Sequence, residues 1–475
     1  MNYYSNQAAF ASGTIAERWS YAYDEYGRKS VARRSVANGS NVLIPVRDEA
    51  TIYDTRNRIT AEGSLAYTFD NLGRMSSVAV RSANVALTAP AERITSYTYD
   101  ILGRLASVKE DASPAVTTDP TLNTNYTFDL QGRADKTQLP GGVTTDYNFD
   151  QLGRLDTQTD SNATGQVLAS YDYKVRADGK RTDLDETTWF DTNTDGVRQT
   201  SEVKATSYDW TYDPVGRLTD EAITHFDIFN NISQSEHFEY DLTGNRTRLD
   251  RNLGNDSTID EVITYGYDAN DRLITEVLDA LDNSKDQTTT YDYNNTQQTS
   301  KLVTRSVSEA ISSQRFTYNL QGRISTTINE GFTSGTLSSR ERTSYQYDSS
   351  SYRISLATET GTTLSPLLNT ENWQLKTSTS FLADSHNHTG YKQTIRDTTI
   401  NADGSSKTID YTFGQDEISQ RTVLKNTSGV ITQDETLIFG HDGHGSVRVL
   451  TDLAGVINQV IAYACLLYTS PSPRD

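Results

Sequence analysis

Asp191-Thr-Asn193-Thr-Asp195-Gly196-Val197-Arg-Gln199-Thr-Ser-Glu202 follows the calcium-loop pattern Asp-x-Asn-x-Asp-Gly with Glu in twelfth place. Asp191, Asn193, Asp195, Val197, Gln199 and Glu202 fall at the ligand positions, and Gly196 would permit the sharp turn. Neither flank reads as a helix, because 185–190 is short and 203–210 is strand-like. The same Asp, Asn and Gly residues also build plain hairpin loops. His441, Asp442 and His444 could bind metal or move protons, but no third strong ligand lies near them in sequence. Packing and local hydrogen bonding in a strand and turn is the simpler expectation there. His386 and His388 read as polar loop residues. The sequence holds no Gly-x-Ser-x-Gly elbow, phosphate loop, dinucleotide fingerprint or His-Glu-x-x-His.

The element that must position these groups is a repeat: aromatic, any residue, aromatic, Asp, two or three variable residues, Gly, Arg, then an apolar residue. Clear copies carry Tyr97, Tyr99, Asp100, Gly103 and Arg104; Tyr126, Phe128, Asp129, Gly132 and Arg133; and Tyr147, Phe149, Asp150, Gly153 and Arg154. A further copy carries Trp210, Tyr212, Asp213, Gly216 and Arg217, and others begin at Tyr67 and Phe316 with Asn319 in the Asp position. Worn copies start near Tyr53 and Tyr171. Rings two residues apart share one strand face. The Asp can accept backbone N–H groups of the following turn, and the Gly can take positive φ in a three-residue loop with a bulge. The Arg can pair with a turn carboxylate or lie over a ring. Aromatic stripes could bind sugars or bases, but rings at this spacing favour contacts between neighbouring hairpins.

A single hairpin is marginal in water, so the repeat predicts an all-β fold of stacked hairpins in one antiparallel sheet of roughly twenty strands. Such a sheet must coil or curl. Residues 306–313 and 333–339 read as polar insertions and 361–372 as a loop. No amphipathic helix longer than about two turns is expected. Twenty-eight Tyr against two Met, with a hydrophobic fraction of 35%, agree with strands over helices. The net charge of −20 makes nucleic acid an unlikely partner class. The single Cys465 excludes an internal disulfide. No apolar run approaches the ~20 residues of a membrane span, and Met1-Asn-Tyr-Tyr-Ser does not open a signal peptide.

These copies, from 21 to 353, resemble the RHS/YD-repeat family, whose namesake unit is Tyr-x-Tyr-Asp-x-x-Gly-Arg. Tyr411-Thr-Phe-Gly-Gln-Asp-Glu-Ile418-Ser-Gln420 resembles the segment before that family's core. His441, Asp442, Gly445, Ser446, Arg448 and Asp452 match its core signature His-Asp-x-x-Gly-Ser-x-Arg-x-Leu-Thr-Asp, which continues through Gly455 toward Tyr463. The resemblance implies a spiralling β-sheet forming part of a hollow shell, with the signature residues structural and no enzymatic activity in this segment. It divides the chain into a repeat array at 1–410, the start of the core at 411–464, and 465–475, which resembles a non-native adapter-derived tail.

The resemblance also implies a function and a place. The shell would enclose a C-terminal toxin or effector domain, absent here, of a secreted or cell-surface bacterial protein. Partners would be that domain and secretion machinery, with no cofactor beyond the calcium candidate. The alternative is a bacterial surface protein that adheres through exposed loops or binds carbohydrate. A remnant without cargo is the third reading.

Overall fold

In the computed structural model, the described residues are 2–3, 15–38, 40, 42–81, 91–111, 122–193, 195–226, 233–254, 256, 258–305, 309–361 and 372–461. Among them lie thirty-four strands and three short 3-10 turns. Each strand pairs antiparallel with the next in sequence, so the sheet is one long meander. The expectation of roughly twenty strands was too low. It counted only motif hairpins, whereas the strands between copies pair by the same alternation. The readings of polar insertion are also corrected, over 309–313 of the first segment and over 333–339. Glu309–Tyr318, Ile324–Thr333 and Thr336–Tyr347 are strands, joined at 334–335 by a tight turn. Their Ser and Thr side chains bond across the sheet, as Ser313 Oγ does to Glu330 Oε2 at 2.6 Å, so polarity there marks a strand face. Residues 306–308 and 362–371, Tyr463, Cys465 and the tail lie outside the described residues.

Strand faces alternate as the repeat requires. In Arg93–Tyr99, Arg93, Thr95 and Tyr97 are buried, while the hydroxyl of Thr98 faces outward and meets Ser107 Oγ at 2.6 Å. The inward rings and aliphatics of Leu65, Tyr67, Val78, Tyr97, Val108 and Leu168 form the main core. That core also takes Ile395, Ile418 and Ile438 from the far end of the sequence. The late strands Trp373–Asp384 to Ile457–Val460 therefore lie against the face of the early ones. The curl expected of a long twisted sheet brings its two ends into a double layer.

Candidate functional site

The clear copies of the unit close their turns in the same way. Asp100 N–H donates to the Arg104 carbonyl at 2.9 Å and Gly103 N–H to the Asp100 carbonyl at 3.0 Å. Asp100 Oδ1 accepts the N–H groups of Leu102 and Arg104, and Oδ2 accepts Arg104 Nε at 2.6 Å. Gly103 sits at φ +86°, where a side chain would be strained. Asp129 with Arg133, Asp150 with Arg154 and Asp213 with Arg217 repeat the ion pair at 2.6 Å, and Gly132, Gly153 and Gly216 repeat the positive φ. Both roles open to the arginine in the sequence are filled at once. Arg104 also lies 4.1 Å from the Phe128 ring centroid of the next unit, Arg133 4.3 Å from Phe149 and Arg217 4.8 Å from Tyr240.

The second ring adds a stitch that the sequence reading missed. When it is tyrosine, its hydroxyl donates to the carbonyl one residue past the previous unit's arginine position. Tyr53 reaches Lys29, Tyr99 reaches Met75, Tyr212 reaches Arg181, Tyr240 reaches Leu218 and Tyr293 reaches Leu273, at 2.8–3.0 Å. Phe128 and Phe149 keep the ring and lose the bond.

The core signature is built from the same turn. Asp442 N–H donates to the Ser446 carbonyl and Gly445 N–H to the Asp442 carbonyl, both at 2.9 Å, with Gly445 at φ +79°. Asp442 Oδ1 accepts the N–H of His444 and of Ser446. Asp452 does the same for Ala454 and Val456. These two turns press the late ribbon onto the early one. Gly443 N–H donates to Tyr173 Oη at 2.7 Å, its carbonyl accepts Arg181 Nη2 at 2.8 Å, and a Cβ on Gly141 would stand 2.8 Å from the Leu453 carbonyl oxygen.

Buried polar knots lock this seam. In the first, Tyr67 Oη donates to Asp384 Oδ1 at 3.0 Å, and Glu62 Oε2 meets His386 Nε2 at 3.0 Å. In the second, Arg93 donates to Thr412 Oγ1 and the Tyr411 carbonyl, while Glu110 accepts from Thr412 and Ser419. In the third, Arg448 pairs with Glu186, stands 3.4 Å from Tyr208 Oη and has Asp442 Oδ2 at 3.7 Å. Burial raises the Glu186 carboxyl, and Arg448 opposes that rise. Asp160, 1% exposed, is pushed by burial to a pKa of about 7, against the Thr145 hydroxyl bond and the nearby His441. His441 Nε2 stands 3.5 Å from Glu417 Oε2, and its proximity lowers the Glu417 carboxyl. Burial lowers the imidazoles of His388 and His444. His386 and His388 do sit in a loop, and that loop is docked: His388 Nε2 donates to the Gly414 carbonyl at 2.8 Å.

Arg93, Glu110, Asp160, Glu186 and Asp384 were not singled out from sequence. Their signal was a charged residue at a period-two position on the ring face, as in Arg93-x-Thr95-x-Tyr97.

The 191–202 loop folds around its own acidic groups. Asp191 Oδ2 accepts Gly196 N–H at 2.8 Å, and Asp195 Oδ1 accepts Val197 N–H at 2.7 Å. Gln199 Nε2 donates to Asp195 Oδ2, as does Asn193 Nδ2. Glu202 is buried; Oε1 accepts from Thr192 and Oε2 from Trp189 Nε1 and Gln199 N–H. Among the described residues no group of three or more His, Cys, Asp or Glu is placed to hold a metal ion.

No protein-family model and no curated protein matches the chain. Solved structures show a distant likeness. The TcdB2–TccC3 complex is 14% identical with a TM-score of 0.28, over 94% of this chain and 28% of that one. A Tc holotoxin pore of Photorhabdus luminescens is 13% identical at 0.31, over 95% and 34%. A porin-like protein of Bacteroides uniformis is 12% identical at 0.25, over 50% and 90%. The chain thus spans about a third of the length of the Tc chains, and scores this low leave the fold to stand on its own strand pairing.

Proposed function

We propose that this chain is a non-enzymatic wall segment of a secreted bacterial RHS-type protein, and that the wall encloses a C-terminal toxin or effector domain of the full-length protein. The observation that carries this reading is the seam. The late ribbons return onto the early ones and are held by ion pairs and hydrogen bonds across it, so the sheet closes on itself instead of spreading. In this reading 1–410 is the repeat array, 411–464 begins the core that docks on it, and 465–475 is non-native. An ion in the 191–202 loop would compete with Trp189, Thr192 and Gln199 for Glu202.

The test is to recover the complete reading frame and digest its product with protease. The C-terminal domain should survive at least about ten times longer than the same domain alone. Equal rates would overturn enclosure.

A second reading, surface adhesion, draws on the turn tips. Leu72, Ile101, Leu130, Leu152, Val215 and Leu242 stand exposed at successive turns. Binding of the isolated chain to cell surfaces, lost when these tips become Ser, would favour it.

A further inference from the structure

The repeat is broken at several turns, and two of those breaks face one cleft. At the first, Asn319 replaces Asp. Its Oδ1 still accepts the N–H groups of Gln321 and Arg323 at 2.9 Å. The second position is now an amide nitrogen, which cannot accept the arginine. Intact copies hold that arginine at 2.6–2.8 Å. Among the described residues Arg323 has no side-chain hydrogen bond, ion pair or ring partner. At the second break Tyr352 stands where the arginine should be. Lys392, from beyond the next strands, pairs with Asp348 and lies 4.1 Å from the Tyr352 ring centroid.

Arg323, Tyr352 and Lys392 line a cleft of about 800 Å³. Its other charges are accounted for. Lys392 has Asp348, and Glu417 has His441. Arg353 faces Asp397, whose carboxyl is raised by burial against the Tyr411 hydroxyl and the Arg353 charge. Among the described residues lining the cleft, Arg323 is the cation without a counter-charge. Phe381, Phe413, Phe439 and Val447 share a lining that is otherwise mainly polar. A guanidinium fork in a cleft that also offers aromatic rings fits a carboxylate carried next to an aromatic side chain.

We propose that this cleft binds an acidic peptide segment, its carboxylate on Arg323 and a neighbouring aromatic side chain against the phenylalanine rings of the lining. Enclosure supplies the source, an extended part of the cargo, and only to that extent does the proposal rest on it. The binding itself needs no cargo. A loss of cargo protection with this binding intact would remove enclosure and leave the site.

The experiment titrates the chain by calorimetry with acetyl-Asp-Phe-amide, acetyl-Asn-Phe-amide and glucuronate. The acid should bind about ten times tighter than its amide analogue. Arg323→Gln should abolish that preference. So should Asn319→Asp, which restores the carboxylate of the intact copies and captures Arg323 without removing any side chain from the core. The site is overturned if acid and amide bind alike, if neither binds, or if Asn319→Asp leaves the preference intact. Tighter binding of glucuronate than of either peptide would overturn the peptide and assign the cleft to an acidic sugar.

Discussion

The early ribbons and the middle ribbons use one turn and differ in what covers them. From Leu65–Phe69 to Arg181–Trp189, strands carry the main core and have the late layer on their inner face. From Glu261–Tyr267 to Glu309–Tyr318, no described residue belongs to that main core, and Gln298–Arg305 buries no residue fully. Yet the turns match. The Asp100–Arg104 and Asp268–Arg272 pairs are both 2.6 Å, and the stitches of Tyr99 and Tyr293 are 2.8 and 2.9 Å. Turn geometry is thus a property of each unit and its neighbour, as in other repeat arrays. Burial is a property of the whole curl, because it depends on residues some 300 positions apart. Changes in the seam and changes in the turns should therefore be felt in different places.

Arg448→Met should show the largest separation. It leaves Glu186 buried without its partner, at a cost of up to about 5 kcal/mol. Hydrogen exchange should speed up in Val447–Thr451 and Arg181–Trp189 and stay unchanged in Gln298–Arg305. Adding Glu186→Leu removes the stranded charge and should restore much of the protection. Uniform loosening across all three strands would break the distinction between layered and unlayered ribbons.

Asp160 in the seam and the turn carboxylates should also respond to pH with opposite signs. Asp160 binds its proton more tightly folded, at about 7, than unfolded, at about 4. Its contribution is full below about pH 4 and is lost as pH rises toward 7, on the order of 4 kcal/mol in all. Glu186, also raised, acts in the same direction. The groups facing Asp160 are Thr145, Gln158, His441 and Asp146. The turn carboxylates run the other way. At Asp150 the Arg154 backbone N–H lowers the pKa, burial opposes it and the Arg154 side chain adds to the fall. Such turns are stable above the unfolded value and weaken as pH falls through the folded one. Exchange measured at pH 4.5 and 7.5 should show Leu155–Ser161 loosening at the higher pH, and Asp160→Asn should flatten that change. Exchange in that strand indifferent to pH in the wild-type chain would contradict the burial of an ionisable Asp160.

The turns were legible in the sequence because each is local. Asp, Gly and Arg within five residues specify the hydrogen bonds, the positive φ and the ion pair of one hairpin. The all-β class followed from their repetition. Nothing comparable announced the seam. Arg93 and Glu110 look like surface charges until the curl brings Thr412 and Ser419 over them. The pairing of Arg448 with Glu186 spans 262 positions, a distance at which only the completed fold selects partners. The 306–313 and 333–339 segments misled for the opposite reason. Their Ser and Thr content signals a loop in isolation, while in the sheet Ser313 and Ser338 donate across strands to Glu330 and the Gly331 carbonyl. The signature at 441–452 was legible as a resemblance, but that it reuses the repeat's own turn emerged only from its hydrogen bonds.

The smallest effect separates the two regions most finely. Tyr293→Phe deletes one hydroxyl and leaves the ring in place, 4.8 Å from the Arg272 guanidinium. The loss is the hydrogen bond to the Leu273 carbonyl, about 1 kcal/mol. Tyr99→Phe deletes the same bond to the Met75 carbonyl, but there the ring packs against the main core. In the middle ribbons the stitch is a large part of what joins one hairpin to the next, so exchange should rise in both Leu273–Ala280 and Gln287–Tyr293. In the early ribbons the covering layer holds the hairpins together, so Tyr99→Phe should leave exchange in Arg93–Tyr99 nearly unchanged. Phe128 already occupies such a position without a hydroxyl, and its strand keeps its pairing to Leu105–Asp111 of the preceding hairpin. Equal responses at Tyr99 and Tyr293 would mean that cover adds nothing to the cohesion of neighbouring units.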